Sequence, residues 1–155
     1  MSDVTTSPLS IERAREFFDA QGWKYQPGQS DQAIRTGFSG IGLEISHIAP
    51  HLNVVTTVAV DAVGADRFDE VLRWVEQYNS SNAFPTAAAL EDPNRNLAAF
   101  GATYSLPGFW EYTDEQFAAH LNSGIEGVVG AARDFLRAFA PQVLDDLDRG
   151  TAARG

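Results

Sequence analysis

Residues 66–106 constrain the fold more than any other part of the chain. In the first half of this stretch, over residues 67–79, apolar side chains recur at the spacing of an amphipathic helix, and Asp66 stands where an N-cap is needed. The predicted buried stripe consists of Phe68, Val71, Leu72, Val75 and Tyr78. Because a helix of this length is stable mainly through tertiary packing, we expect the stripe to cover another apolar surface.

The chain then turns from this helix into two strands. Polar residues 79–82 compete with the backbone for hydrogen bonds and end the helix. Pro85 forces Phe84 into an extended conformation. Residues 86–90 and 97–106 are then predicted to form a β-hairpin. Both strands are rich in alanine, so we expect a helix to lie close over them.

A shorter helix is predicted near the start of the chain. Ser10 is a good N-cap, and Gly22 stands where a left-handed residue would end the helix. Trp23 follows in the position that packs back on the last turn, against Phe18.

Three strands are predicted between the helix that begins at Ser10 and the helix over residues 67–79. Apolar residues alternate over residues 33–38, and after Ser39 and Gly40 the alternation continues with the opposite parity. Either a turn or a bulge at these two residues explains the change, since a strand in unbroken register keeps one set of alternate positions on one face. A second break at residues 49–51 leads into a third strand over residues 52–63.

The last helix has the clearest start. Thr113 and Gln116 form a capping box, and Tyr112 and Phe117 are placed for a hydrophobic staple. Apolar residues then recur every three or four positions as far as Phe139. Three glycines within this helix indicate either the close approach of another backbone or a bend: Gly124, Gly127 and Gly130.

These elements predict an α+β fold in the order α-β-β-β-α-β-β-α. Such a fold has a single antiparallel sheet of about five strands with helices packed on it. Residues 10–141 are expected to form one domain. Residues 1–9 are expected to be a flexible N-terminus, and residues 142–155 a flexible acidic tail.

Charge and composition narrow the classes of partner. The chain has 21 acidic residues against 11 basic ones and a formal net charge of −10. Such a chain repels phosphate backbones and anionic membranes, so we predict neither nucleic acid nor a membrane as a partner. The absence of cysteine excludes thiolate chemistry. Because residues 1–8 lack the basic start and apolar run of a secretory signal, we expect a cytoplasmic protein.

The order of elements resembles that of the YbjN family of bacterial domains. The resemblance is carried by residues 68–75, by Tyr78 and Asn79, and by Phe84-Pro85-Thr86-Ala87, and it continues through the hairpin to the last helix. Members of this family are described as sensory transduction regulators, and their fold is similar to that of type III secretion chaperones. The resemblance implies a non-enzymatic domain, acting as a dimer, that handles other proteins.

Aromatic residues are the best candidates for a binding site. Phe109, Trp110 and Tyr112 fall within four positions after Pro107 and Gly108. Exposed aromatics are strong binding anchors because they offer large, rigid area at low entropy cost. The alternative is that they lock the last helix to the sheet. Trp74, beside the stripe of the second helix, has the same two interpretations.

Other residue patterns predict no chemistry. His47 and His51 are four positions apart, which would place both on one face of a helix, but Pro50 stands between them and His120 is remote in sequence. The glycine-rich residues 37–42 lack the Lys and Ser/Thr of a phosphate-binding loop. The acidic pairs at residues 91–92 and 145–146 are expected to be surface charge. We therefore predict no catalytic residue, metal or cofactor.

Two functions remain open at this point. The first is a protein-binding or chaperone-like domain, acting as a homodimeric cytoplasmic adaptor or stress or signalling regulator. Its strand edges or its aromatic loop would engage an extended client segment. The alternative is a small-molecule sensor or enzyme with a pocket between the sheet and the C-terminal helix.

Overall fold

The computed structural model describes residues 5–154, and the side chains of residues 5–150. Within these residues the elements are α1 (Ile11–Gln21), β1 (Gln26–Pro27), β2 (Ala33–Phe38), β3 (Ile41–Ile48), β4 (His51–Val58), α2 (Phe68–Ser81), β5 (Thr86–Asp92), β6 (Leu97–Leu106), α3 (Asp114–Phe139) and α4 (Pro141–Arg154). A 3-10 turn at Ala65–Arg67 precedes α2. This arrangement confirms the predicted α+β fold and adds one strand and one helix to it.

All strand pairs are antiparallel, in one sheet of order β1-β2-β3-β4-β6-β5. β2 and β3 are joined by Ser39 and Gly40, which both have positive φ angles of 52° and 81°. A two-residue turn with positive φ at both positions matches the twist of a hairpin. The change of parity seen in the sequence is therefore a tight turn and not a bulge.

The sixth strand was not predicted. β1 contains only Gln26 and Pro27, which pair with Arg35 and Ile34 of β2. Pro27 begins a stretch, residues 27–31, whose turn-forming composition indicates a loop. Two residues are too few to show alternation, so the pairing has no signal in the sequence.

The helices cover one face of the sheet. Its buried side chains alternate along the strands and include Ile34, Ile45, Val54, Phe100 and Leu106. The rings of Phe100 in β6 and Phe135 in α3 stack with centroids 4.9 Å apart. The opposite face, called here the outer face, carries mostly small or polar side chains, among them Glu44, Ser46, Asn53, Thr57 and Ser105.

The strongest sequence signals are confirmed at the helix ends. The Ser10 side chain accepts a hydrogen bond from the Arg13 amide, and Gly22 ends α1 in the left-handed region. Trp23 packs on Phe18 with ring centroids 5.5 Å apart. Both bonds of the Thr113 and Gln116 capping box are present at the start of α3.

Two of the α3 glycines make room for aromatic rings. A Cβ atom on Gly124 would lie 2.6 Å from the Tyr104 ring, and one on Gly127 would lie 3.2 Å from the Phe84 ring. The groups that approach α3 at these two glycines are thus side chains, whereas the sequence left open the approach of another backbone or a bend. Gly130 has no such neighbour.

Two expectations for α2 are wrong. The Asp66 side chain caps neither the 3-10 turn nor α2, because the turn places Asp66 ahead of the first α-helical residue. Leu72 is exposed, whereas Val71 and Val75 are buried and Phe68, Trp74 and Tyr78 pack against the core. The buried stripe is narrower than predicted and shifted toward Trp74.

The described parts of both chain ends make contacts with the rest of the domain. Residues predicted as an acidic tail form α4, in which Leu144 is buried and Arg133 of α3 bonds to Asp148 at 2.7 Å. Residue 155 lies outside the described residues. At the other end, residues 1–4 also lie outside them, but Ser7 pairs with Tyr112 and Leu9 is buried. None of the described helices combines the length and apolarity needed to cross a membrane.

Candidate functional site

The four aromatic candidates from the sequence divide into two groups. Phe109 and Trp110 expose 76% and 57% of their surface. Tyr112 exposes 2%, and Trp74 is half-buried. Only the first two offer large apolar area to a partner.

Trp74 and Tyr112 hold the domain together. Trp74 stacks on Tyr78 with centroids 5.4 Å apart and meets the edges of the Phe100 and Phe135 rings. The Tyr112 hydroxyl donates to the Pro107 carbonyl at 2.6 Å, and burial raises the pKa of this phenol above 10.0. The contacts of Trp74 and Tyr112 are those of residues that pack helices and loops onto the sheet.

Phe109 and Trp110 lie on a loop of residues 108–112, called here the aromatic loop. This loop is fixed at its first end by Gly108. The Gly108 amide donates to His51 Nδ1 at 3.0 Å. A Cβ atom at this position would lie 1.7 Å from the Pro50 carbonyl oxygen, so only glycine fits. The β3–β4 turn therefore holds the loop directly against the sheet.

Tyr112 fixes the second end of the loop. Its amide donates to the Ser7 carbonyl at 2.9 Å, and the Ser7 amide donates back at 3.0 Å. Arg13 supports this contact by donating to the Ser7 carbonyl at 2.7 Å. Phe109, Trp110 and Glu111 thus project from a loop that is anchored on both sides.

Phe109 and Trp110 join two residues of the β3–β4 hairpin in one exposed cluster. The Phe109 ring meets the His51 ring edge-on at 5.0 Å, and His51 pairs with Ile48, which is 65% exposed. We call Ile48, His51, Phe109 and Trp110 the aromatic patch. Ile48 was missed, although its parity relative to Ile41, Leu43 and Ile45 places it on the outer face.

The three histidines lie in different surroundings. His51 binds Gly108, His120 lies 3.4 Å from the Tyr104 hydroxyl, and His47 pairs across the hairpin with Leu52. Within residues 5–154, no three side chains from His, Cys, Asp and Glu form a group that could hold a metal ion.

The space between the sheet and α3 is filled by the core. Phe100, Phe135 and Phe139 stack in succession there, with centroid distances of 4.9 and 5.1 Å. A large depression of about 1140 Å³ lies elsewhere, between the end of α1 and strands β1 and β2, and it is open to solvent. The geometry therefore gives no support to a ligand pocket between the sheet and the C-terminal helix.

Each edge of the sheet has one feature that hinders the addition of a further strand. β1 is two residues long and contains Pro27, which has no amide hydrogen to donate. On β5, the Asn79 side chain donates to the Ala87 carbonyl at 2.9 Å and accepts from the Ala87 amide at 2.8 Å. The Asn79 carboxamide thus takes the place that an added strand would occupy.

The arginines are widely engaged by acidic groups. Among the side chains of residues 5–150, eight arginines form ion pairs with Asp or Glu at distances of up to 3.4 Å. The most enclosed is Arg13, which binds Asp114 at 3.0 Å and lies over the Phe117 ring. These pairs reduce the positive charge that any face presents to a polyanion.

Comparison with solved structures finds a protein of similar fold. The crystal structure of YbjN from E. coli, described as "a putative transcription regulator", superimposes with a TM-score of 0.67 over 80% of this chain and 89% of that chain. The fold is YbjN-like. Sequence identity is 16%, so the likeness concerns the fold alone. No protein-family model matches the chain, and no curated protein matches it.

Replacement of Asn79 by alanine is expected to open the β5 edge. The Asn79→Ala variant should lose about 1 kcal/mol of unfolding free energy, measured by urea denaturation, because two hydrogen bonds to the backbone are lost. It should also form larger oligomers than the wild type in light-scattering measurements, since the Ala87 groups become free for pairing.

The matched control is Asn82→Ala, which removes a side-chain bond to the Tyr78 carbonyl at 2.9 Å but frees no strand edge. This control should keep the wild-type molar mass. An Asn79→Ala variant that also keeps it at every concentration would show that Asn79 does not protect the edge.

Proposed function

We propose that the chain is a non-catalytic protein-binding domain that acts as a regulatory adaptor in the cytoplasm. The aromatic patch is its partner site. The observation that carries this proposal is the exposure of Phe109 and Trp110 on a loop fixed at both ends by Gly108 and Tyr112. The likeness in fold to YbjN, itself described as a regulator, supports a regulatory role.

The fixed loop makes the patch suited to binding. Two aromatic side chains have few rotatable bonds, and an anchored backbone has little freedom left to lose on association. Large aromatic residues at the centre of an interface commonly supply most of its binding energy. The open β3–β4 hairpin extends the apolar surface through Ile48.

The protected edges favour the patch over strand addition. A client strand at β5 would first have to displace the Asn79 carboxamide from Ala87. A client strand at β1 would meet Pro27 and only one other strand residue. Side-chain recognition at the loop requires neither change.

We also propose that the domain forms a homodimer through the part of the outer face around Arg35 and Glu44, on strands β2 and β3. This face has small and polar side chains, and its Arg35 and Glu44 neutralise one another at 3.4 Å. A face with little net charge is compatible with a second copy of a chain that is otherwise strongly acidic. Sedimentation velocity at micromolar concentration should give the mass of two chains, and a single-chain mass throughout would contradict the dimer.

The partner site is tested by the double variant Phe109→Ser/Trp110→Ser. Peptides selected from a random phage-displayed library on the wild-type protein should bind this variant at least about tenfold more weakly, because two anchors are lost. Fluorescence anisotropy with the synthesised peptides measures the change. Circular dichroism should show an unchanged fold, since both side chains are exposed.

Leu72→Ser/Leu90→Ser is the matched control, because it also replaces two exposed hydrophobic residues, at 37% and 38% exposure. Peptides should bind this control as they bind the wild type. Equal binding to the patch variant and the wild type, or a library that gives no binders, would overturn the proposal.

A further inference from the structure

The exposed hydrophobic residues gather at one end of the sheet. The strand register places the β3–β4 turn, the end of β6 and the start of β5 together at this end. Of the six large hydrophobic side chains exposed in the described residues, four belong here: Ile48, Phe84, Phe109 and Trp110. We call this the aromatic end.

A row of contacting rings connects the patch to Phe84. Trp110 lies 6.3 Å from Tyr112, and Tyr112 lies 5.6 Å from His120. His120 is within 3.4 Å of the Tyr104 hydroxyl, and the Tyr104 ring meets Phe84 at 5.4 Å. The row runs from the aromatic loop across the start of α3 to the start of β5.

Phe84 is also held in place by contacts with the rest of the domain. Its ring packs on Gly127 of α3, where a Cβ atom would lie within 3.2 Å, and against Tyr104 on the sheet. Nearly half of its surface, 48%, is nevertheless exposed. Phe84 is thus a second fixed apolar contact, separated from Phe109 and Trp110 by the buried ring of Tyr112, the exposed ring of His120 and the half-buried ring of Tyr104.

The aromatic end is bordered by acidic side chains. Glu111 follows Trp110 directly, and Asp114 and Glu115 begin α3. Arg13, which lies beside the start of α3, already binds Asp114 and the carbonyls of Ser7 and Pro8. Because Arg13 is engaged in this way, the border presents negative charge to any approaching partner.

We infer that the aromatic end binds an extended protein segment that carries two apolar anchor residues flanked by Lys or Arg. This inference rests on the proposed function and adds the chemistry of the partner to it. One anchor contacts Phe109 and Trp110, and the other contacts Phe84. The basic residues face Glu111 and Glu115.

The two kinds of contact have different effects. Apolar anchors give most of the affinity, because they remove area from water. Complementary charge orients the segment and raises its rate of association, and salt screens this effect. A neutral or acidic segment with the same anchors therefore binds more weakly at low salt.

Labelled peptides of about 12 residues, which span up to about 40 Å when extended, test the inference on the full chain. One peptide carries two phenylalanines among lysines, the second has glutamates in place of the lysines, and the third has serines in place of the phenylalanines. At about 0.05 M salt the lysine peptide should bind at least about tenfold more tightly than either of the others. At about 0.5 M salt its advantage over the glutamate peptide should shrink to about twofold.

Charge variants separate the local border from the overall charge. Glu111→Gln/Glu115→Gln should weaken binding of the lysine peptide at least about threefold at low salt. Glu91→Gln/Asp145→Asn, the same charge change near the end of β5 and in α4, should leave binding unchanged. Phe84→Ser should weaken binding of the lysine peptide about fivefold or more through the lost anchor.

Equal binding of the lysine and glutamate peptides, equal effects of the two charge variants, or no effect of Phe84→Ser would overturn the inference. In each of these cases the proposed function stands if Phe109→Ser/Trp110→Ser still weakens binding of the library-selected peptides about tenfold or more. If that double variant binds the peptides as the wild type does, the proposed function fails as well.

Discussion

The hydrogen bond from the Gly108 amide to His51 Nδ1 is the contact on which the binding surface depends. It is possible because Gly108 has no side chain and lies directly against the Pro50 carbonyl. With Tyr112 bonded to Ser7 on the other side, three residues project from a fixed frame. Without the Gly108 contact, Phe109 and Trp110 would be free to fold back onto nearby apolar surface, and their exposure would have no defined geometry.

The rest of the architecture supplies the frame. Helices bury one face of the sheet, where Phe100 and Phe135 stack, so the strand ends have fixed positions relative to α3. Four of the six large apolar side chains exposed in the described residues then lie at one end of the sheet, on elements that the core already orders. The addition of strands is hindered by different means at the two edges, by Pro27 on β1 and by the Asn79 carboxamide at Ala87 of β5. The surface available to a partner is accordingly made of side chains.

The parts of the fold that were predictable depend on local patterns. The capping box at Thr113 and the parity change at Ser39 are each set by a few neighbouring residues. The missed features depend on distant partners: β1 exists only through its pairing with β2, and α4 is joined to α3 by the ion pair between Arg133 and Asp148. The site, too, was predictable only where it depends on local sequence. Aromatic content after Pro107 was visible in the sequence, but the division between exposed Trp110 and buried Tyr112 follows from contacts with Ser7, Pro107 and His51.

Amide hydrogen exchange in the free protein tests most directly whether the loop is a fixed frame. The amides of Gly108 and Tyr112 donate to His51 and Ser7, whereas within the described residues those of Trp110 and Glu111 donate to no protein group. We expect the first two to exchange slowly, at rates near those of the central strands, and the second two to exchange rapidly. If all four exchange rapidly, the loop is mobile and the account of a preformed aromatic surface is wrong.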